Sequence, residues 1–203
     1  MSREDASRAI ALGGVIGPVA FIGAWLTGGL ITDVDYSPVD DAISRLAAVG
    51  ADTRPLMTVG FAVFGIAIMA FASVLRSAAP VGPAWISIMA TGLATLWVAA
   101  TPLDRSDSVD SLHGLAATVG YATLVASPLL AAAPLRQAGN VTVANAGVAV
   151  AVVSAVSLAI SGLVDANGLF QRIGLTVVDL WLVALALLVT TARLETAPTE
   201  PPA

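Results

Sequence analysis

Six stretches of mainly apolar residues, each long enough for a bilayer-spanning helix, follow one another along this chain of 203 residues. Their limits are 10–31, 55–75, 84–101, 109–135, 141–163 and 169–192. A helix needs about 20 apolar residues to cross the hydrocarbon core, because lipid offers free backbone groups no hydrogen-bond partner. The sequence therefore predicts an all-α fold, a polytopic membrane helix bundle with six transmembrane helices in one domain (1–193). The proline-rich, acidic end, 194–203, is predicted to be disordered.

The composition of the chain excludes several classes of function. Hydrophobic residues make up 57% of it and charged residues 11%, far from the composition of soluble domains. The formal net charge of -5 argues against nucleic acid, whose phosphates need a basic surface. The absence of cysteine excludes disulfides and zinc–thiolate sites. We expect membrane lipids as partners, a second copy or another membrane protein as further candidates, and no cofactor.

The connections between the apolar stretches bear on orientation. Short links such as "RSAAPVGP" and "DANG" predict antiparallel neighbouring helices, and six crossings place both termini on one side of the membrane. Cytoplasmic termini put five arginines inside and four outside, a small bias in the usual direction. The inside arginines are Arg3, Arg8, Arg76, Arg136 and Arg193. The sequence therefore predicts cytoplasmic termini.

The first outer connection, "TDVDYSPVDDAISRLAAVGADTRP", carries helix signals of its own. Ser37 suits an N-cap, Pro38 the first helical position and Gly50 a helix stop. A short amphipathic helix over 38–49 is predicted to lie flat at the outer interface, with an Asp41–Arg45 pair on one face. Its apolar face would hold Val39, Ile43, Leu46 and Ala47. Such a helix either merely covers the bundle or caps a lipid-accessible cavity.

The stretch "TPLDRSDSVDSLHG" holds the single histidine, His113, behind aspartates at three-residue intervals. Two of these, Asp107 and Asp110, suit the first turn of a helix, where a carboxylate meets free amide groups. A metal would be held by Asp104, Asp110 and His113, but zinc hydrolases commonly use two or three histidines, so we assign no metal. His113 itself either hydrogen-bonds between two helices or responds to protons.

Asp179 lies near the middle of the last apolar stretch. An ionised carboxylate there costs several kcal/mol unless it is paired, protonated or facing a cavity, so an intramembrane acid is a site candidate. Arg172 precedes it by two helical turns on the same face. With His113 and Arg45 these residues are predicted to line a polar, outward-facing pocket. The alternative is a buried polar network that fixes the register of the helices.

Four segments together carry a family resemblance: "YSPVDDAISRLAAVG", "LMTVGFAVFGIAI", "LHGLAA" and "GLFQRIGL". In this order the chain resembles the bacterial six-helix family known as domain of unknown function nine-nine-eight, over nearly its whole length. The resemblance implies a six-span inner-membrane protein with an interfacial helix on the outer face, and it assigns no reaction. The positions that match the family's recurrent pattern are Tyr36, Ser44, Leu46, His113, Gly114 and Arg172.

From these features we expect a non-enzymatic protein of the inner (plasma) membrane that binds a lipid or another amphipathic ligand in an outer-leaflet pocket. The residues predicted to bind it are Tyr36, Ser44, Arg45, His113, Arg172 and Asp179. Two alternatives stay open. The first is a metal-dependent lipid hydrolase that uses His113 and nearby aspartates. The second is a small proton-coupled transporter that uses Asp179.

Overall fold

Seven α-helices and one 3-10 helix form the part of the chain that the computed structural model describes, residues 3–33 and 35–194, which contains no strand. The α-helices are α1 (Arg3–Ala11), α2 (Gly13–Ile31), α3 (Arg54–Ala78), α4 (Ala84–Ala100), α5 (Asp107–Gln137), α6 (Val141–Ser161) and α7 (Asn167–Thr190). The 3-10 helix, Ile43–Ala47, lies between α2 and α3. The all-α prediction is confirmed, and α2 to α7 coincide with the six apolar stretches to within three residues at each end. The tail predicted over 194–203 lies, apart from its first residue, outside the described residues.

Most of these helices are suited to a bilayer. Five helical segments are long and apolar enough to cross a membrane, namely Asp5–Ile31, Arg54–Ala78, Asp107–Gln137, Val141–Ser161 and Asn167–Thr190. The remaining one, α4, is also apolar but has only 17 residues. Large aliphatic side chains such as Val19, Leu30 and Ile66 are exposed on the outside of the bundle. Hydrocarbon rather than water suits such a surface. The chain is thus a multi-pass membrane protein.

Helices α2 to α7 form a closed ring. Each one packs against the next in the chain, and α2 packs against α7. Between α3 and α4 the backbones meet at two glycines. A Cβ on Gly65 would lie 2.8 Å from the carbonyl oxygen of Gly92, and a Cβ on Gly92 would lie 2.7 Å from that of Gly65. Small residues at both positions therefore allow the close crossing, as in many membrane helix pairs.

The two ends of the ring are packed differently. We call the end that carries residues 32–53 the cap end, and residues 36–47 the cap segment. At the opposite end, large apolar side chains fill the interior with almost no exposure: Ile68, Phe71, Leu75, Leu135, Leu182 and Leu185. The cap half of the ring instead encloses a cavity.

The cap segment corrects the predicted helix over 38–49, since only Ile43–Ala47 is helical and its conformation is 3-10. The reason is that α7 takes the hydrogen-bonding groups an α-helix would pair internally. The Val39 carbonyl accepts from the Leu169 amide at 2.8 Å. The Ile43 amide donates to the Gln171 side-chain oxygen at 2.7 Å. The cap segment is therefore shaped by its contacts with α7 rather than by local helix propensity.

The side chains of the cap segment follow the prediction in part. Of the predicted apolar face, Ile43, Leu46 and Ala47 are buried and Val39 is exposed. The predicted pair between Asp41 and Arg45 does not form. The Asp41 carboxylate accepts from the Ser37 amide at 2.8 Å, and Arg45 pairs instead with Asp104. The i, i+4 spacing that would have brought Asp41 and Arg45 together is lost with the α-helix.

Candidate functional site: a cavity and a cleft under the cap

Arg172 on α7 fastens the cap segment to the ring. Its Nη1 donates to the carbonyl oxygens of Pro38 at 2.7 Å, Asp41 at 3.0 Å and Gly168 at 2.9 Å. The guanidinium carbon also lies 5.2 Å from the ring centroid of Trp25 and 5.7 Å from that of Tyr36. Carbonyl dipoles and aromatic faces both stabilise a cation away from water. Arg172, only 8% exposed, is thus held by the protein itself.

Tyr36 belongs to the same contact, because its hydroxyl accepts from Nη2 of Arg172. Burial raises the pKa of the Tyr36 phenol above its usual value, while the neighbouring Arg172 acts in the opposite direction. The phenol therefore stays neutral at physiological pH.

Gly168, on the first turn of α7, lets the cap segment approach. A Cβ there would overlap the Asp41 carbonyl oxygen and lie 2.7 Å from that of Pro38. Any larger residue would push the cap segment off α7. The sequence "NGLFQRIG" thus supplies both the space and the cation that fix the cap.

Beneath the cap, the ring encloses a cavity of about 70 Å³. Three residues that the sequence analysis singled out, Ser44, His113 and Asp179, line it together. Tyr36 lies in the cap segment and Arg172 in α7 against it, so neither lines the cavity. Arg45 lies on the surface. Phe21, Phe61 and Phe64 form an aromatic wall, with ring centroids 5.6 Å apart for Phe21–Phe61 and 5.4 Å apart for Phe21–Phe64. The remaining polar lining residues are Thr91, Thr95, Tyr121 and Gln171.

Gln171 links the cap to this cavity. Its side-chain oxygen accepts from the Ile43 amide, and its side-chain nitrogen donates to the Tyr121 hydroxyl. Both of its hydrogen-bonding groups are therefore used, one on the cap segment and one on α5. The pair Gln171–Tyr121 joins α7 to α5 across the interior of the ring.

His113 is fixed by a backbone contact. Its Nδ1 lies 2.7 Å from the Thr101 carbonyl oxygen at the end of α4. Because a carbonyl only accepts, Nδ1 carries a proton and donates it to Thr101. The hydrogen bond ties α5 to α4, in agreement with the structural interpretation of this histidine, while the ring also lines the cavity.

Asp179 lines the same cavity from α7 and is 1% exposed. Neither carboxyl oxygen has a hydrogen-bond partner within residues 3–33 and 35–194. Arg172 does not reach it, although both lie on one side of the helix. Seven residues separate them by roughly 10 Å along the axis. The long arginine side chain extends toward the cap, where carbonyl groups receive it.

A second opening, a cleft of about 590 Å³, lies on the outside of the ring between α5 and α6. Small residues form its walls, among them Ala117, Ala122, Ala155, Ala159 and Gly162. The cleft follows α5 from His113 to Val125, roughly 18 Å at the rise of an α-helix. The cleft is open on the side that faces the lipid, where three of its alanines are exposed: Ala122, Ala155 and Ala159.

Cleft and cavity meet at a common boundary. Five residues line both of them: Ser44, His113, Ala117, Tyr121 and Gln171. Four of these carry a polar group, so the boundary is polar while the cleft beyond it is mainly apolar. The arrangement is an apolar groove with one polar end. It is complementary to an amphipathic molecule, which has an apolar chain and a polar group.

The acidic cluster on the surface is occupied by internal contacts. Nη1 of Arg45 lies 2.9 Å and 2.8 Å from the two carboxylate oxygens of Asp104, and both side chains are about half exposed. The Asp110 carboxylate accepts from the Asp104 amide at 3.0 Å, and Ser106 caps α5 by accepting from the Val109 amide. Among the described residues no group of three or more His, Asp or Glu side chains could hold a metal ion. Asp104, Asp110 and His113 therefore do not converge.

The family of the chain follows from its sequence as a whole. A model of the family described as "Protein of unknown function (DUF998)" matches residues 15–188. The chain belongs to this family. The match covers α2 to α7 almost completely, including the cap segment, the cavity and the cleft, and it confirms the resemblance seen in the sequence. No curated protein and no solved structure matches the chain.

Gln171 and Tyr121 were not predicted as site residues from the sequence. A signal was present for both of them. Gln171 is a polar residue within the apolar stretch of α7, spaced i, i+4 and i+8 with Leu175 and Asp179, which line the cavity with it. Tyr121 is one of only two tyrosines in the chain. Polar side chains inside membrane helices form partnerships across the bundle, so the two could have been paired in advance.

Proposed function

We propose that this DUF998 protein binds a lipid or another amphipathic molecule, with the apolar chain in the cleft between α5 and α6 and the polar group at the cavity. The observation that carries the proposal is the polar boundary shared by cleft and cavity, formed by Ser44, His113, Tyr121 and Gln171. The cleft is open on the lipid side, so a molecule can enter from the bilayer without passing through water.

The proposed membrane arrangement has six crossings, with α4 as the shortest. Its 17 residues span roughly 25 Å, close to the thickness of the hydrocarbon core. Its packing between α3 and α5 supports this arrangement. We place the cap end outside the inner (plasma) membrane and both termini in the cytoplasm, in agreement with the arginine distribution.

The proposed role is accessory or sensing rather than catalytic. Several polar groups at the site serve the fold: Arg172 holds carbonyl groups, Gln171 holds Ile43 and Tyr121, and His113 holds Thr101. The alternative, a metal-dependent hydrolase, gains no support from Asp104 and Asp110, because Asp104 pairs with Arg45 and Asp110 accepts from the Asp104 amide. It stays a prediction.

A second candidate, proton-coupled transport, is favoured by one observation. Asp179 is an acid enclosed near the middle of α7, a helix of 24 residues, and faces a cavity. Intramembrane acids of this kind carry protons in many pumps and transporters. A proton flux into proteoliposomes that wild type carries and Asp179→Asn does not would favour transport over static binding.

Native mass spectrometry of the full chain, released from nanodiscs of defined lipids, tests the binding proposal. Wild type is expected to keep a bound lipid, and Ala159→Phe is expected to lose it because the new ring fills the cleft. Ala149→Phe is the matched control, since Ala149 is exposed on α6 outside the residues that line the cleft. Equal lipid retention by both variants would overturn the proposal.

A further inference from the structure

We propose that the amphipathic ligand carries an organic cation, an alkylammonium group, which enters the cavity and pairs with Asp179. This inference rests on the proposed function and names the chemistry of the ligand's polar group. The Asp179 side chain is 1% exposed, and its two carboxyl oxygens form no hydrogen bond with the described residues.

A carboxylate in this position needs a positive partner. Leaving a buried charge without one is costly, and proteins normally supply it from a neighbouring side chain. Arg172 is the nearest cation along α7, and it is engaged by three carbonyl oxygens and two aromatic rings of the cap end. His113, also in the cavity wall, directs its Nδ1 to Thr101, and it forms no hydrogen bond with Asp179. The described residues supply no cation to an ionised Asp179, so a ligand that carries one would stabilise this form over the protonated, ligand-free form.

The walls of the cavity select an organic cation over a metal ion. Calcium and magnesium require about six oxygen ligands, and the described residues hold no group of three acidic or histidine side chains. Thr91 and Thr95 donate their hydroxyl protons to the carbonyl oxygens of Ser87 and Thr91 in α4, so neither hydroxyl donates to Asp179. Instead of further oxygen ligands, the cavity wall offers the aromatic faces of Phe21, Phe61 and Phe64. Aromatic faces attract alkylammonium ions and accommodate their methyl groups.

The volume of the cavity limits the size of the ligand's head group. A volume of about 70 Å³ compares with the roughly 10–15 Å³ that one water requires. Room for roughly five water-sized groups suits a methylated ammonium head and excludes a sugar or a phosphorylated head. The alkyl chain would cross the boundary beside Ala117, next to the Gln171–Tyr121 pair, and lie in the cleft between α5 and α6.

Titration calorimetry on the full chain in maltoside micelles tests this inference with matched dodecyl amphiphiles. Wild type is expected to bind dodecyltrimethylammonium about ten-fold or more tightly than dodecanol, which corresponds to at least ~1.4 kcal/mol. Asp179→Asn is expected to abolish that preference, and a cooperative unfolding transition of the variant would show that it is folded. Asp179→Glu, which keeps the charge, and the exposed control Asp165→Asn should both retain the preference.

The remaining outcomes separate the two proposals. If dodecyltrimethylammonium and dodecanol bind equally to wild type, or if the preference survives in Asp179→Asn, the cation inference is overturned and the cleft proposal stands. If neither amphiphile binds, nor dodecanoate, the proposed function itself is overturned. Tetramethylammonium that binds as tightly as its dodecyl analogue, with the same dependence on Asp179, would assign the cavity to a free cation and remove the role of the cleft.

Discussion

Arg172 and Asp179 are both ionisable, both buried and only two helical turns apart on α7, yet their surroundings are opposite. Arg172 meets three carbonyl oxygens, a phenol and two aromatic faces through its Nη atoms and guanidinium plane, and its Nε alone has no partner among the residues described. Asp179 meets the wall of a cavity, and its carboxyl oxygens have no partner among the residues described. A buried charge that the fold satisfies is part of the fold, whereas one left unsatisfied costs stability and is explained by a task. The comparison assigns Arg172 to the architecture and Asp179 to the ligand.

The largest effect is expected from removing the satisfied charge. Arg172→Met leaves the Pro38, Asp41 and Gly168 carbonyls without their donor and frees the cap segment, so we expect a loss of about 3–5 kcal/mol in unfolding free energy. Arg45→Met is the matched control, because the exposed pair with Asp104 contributes only about 0–1 kcal/mol. Reversible unfolding in mixed micelles measures both. Equal losses would mean that Arg172 is no more structural than a surface arginine.

A smaller loss is expected where the cap segment touches α7. Gly168→Ala forces a methyl group against the Asp41 and Pro38 carbonyls, which we expect to cost about 1–3 kcal/mol. Gly162→Ala, at the neighbouring end of α6, meets its nearest atom only at 3.7 Å and should change stability by less than about 0.5 kcal/mol. The same unfolding assay compares the two variants. If Gly168→Ala is as stable as Gly162→Ala, the cap segment is not held against α7 as described.

The smallest effect has the opposite sign. Asp179→Leu removes an unpartnered polar group from an apolar interior, so we expect delipidated protein to gain about 1–2 kcal/mol in stability. Asp165→Leu, in the exposed turn before α7, should leave stability nearly unchanged. A clear loss of stability in Asp179→Leu would reveal a partner for the carboxyl within the protein. The comparison with Arg172 would then fail.

The sequence was sufficient to predict the helices of the bundle but not their closure into a ring, because the signal for membrane helices is strong and local. Apolar stretches of the required length, separated by glycine, proline and aspartate, predict helix positions without knowledge of the contacts between them. The cap segment was predicted less well. Ser37 and Pro38 carry genuine helix-start signals, but the tertiary bonds to Leu169, Gln171 and Arg172 outcompete them.

Several residues of the candidate site were predicted individually, but which of them lie together in the structure was not. Position in an apolar stretch was enough to single out Asp179, and rarity was enough for His113. Which side chains share a space depends on the direction of each side chain and on packing between distant helices. Arg172 and Asp179 share a helix face, but Arg172 extends to the cap segment while Asp179 lines the cavity. Arg45 lies with Asp104 at the surface. The cleft between α5 and α6 arises from alanines whose sequence pattern resembles ordinary helix packing.

The most direct test is whether Asp179 pairs with a cationic ligand. Electron cryomicroscopy of the full chain in lipid nanodiscs, with dodecyltrimethylammonium present, provides it. The account predicts density for the head group within ion-pair distance of the Asp179 carboxylate, and density for the alkyl chain along Ala117, Ala122 and Ala159. A map in which Asp179 instead pairs with a side chain of the protein, while cavity and cleft stay empty, would contradict it.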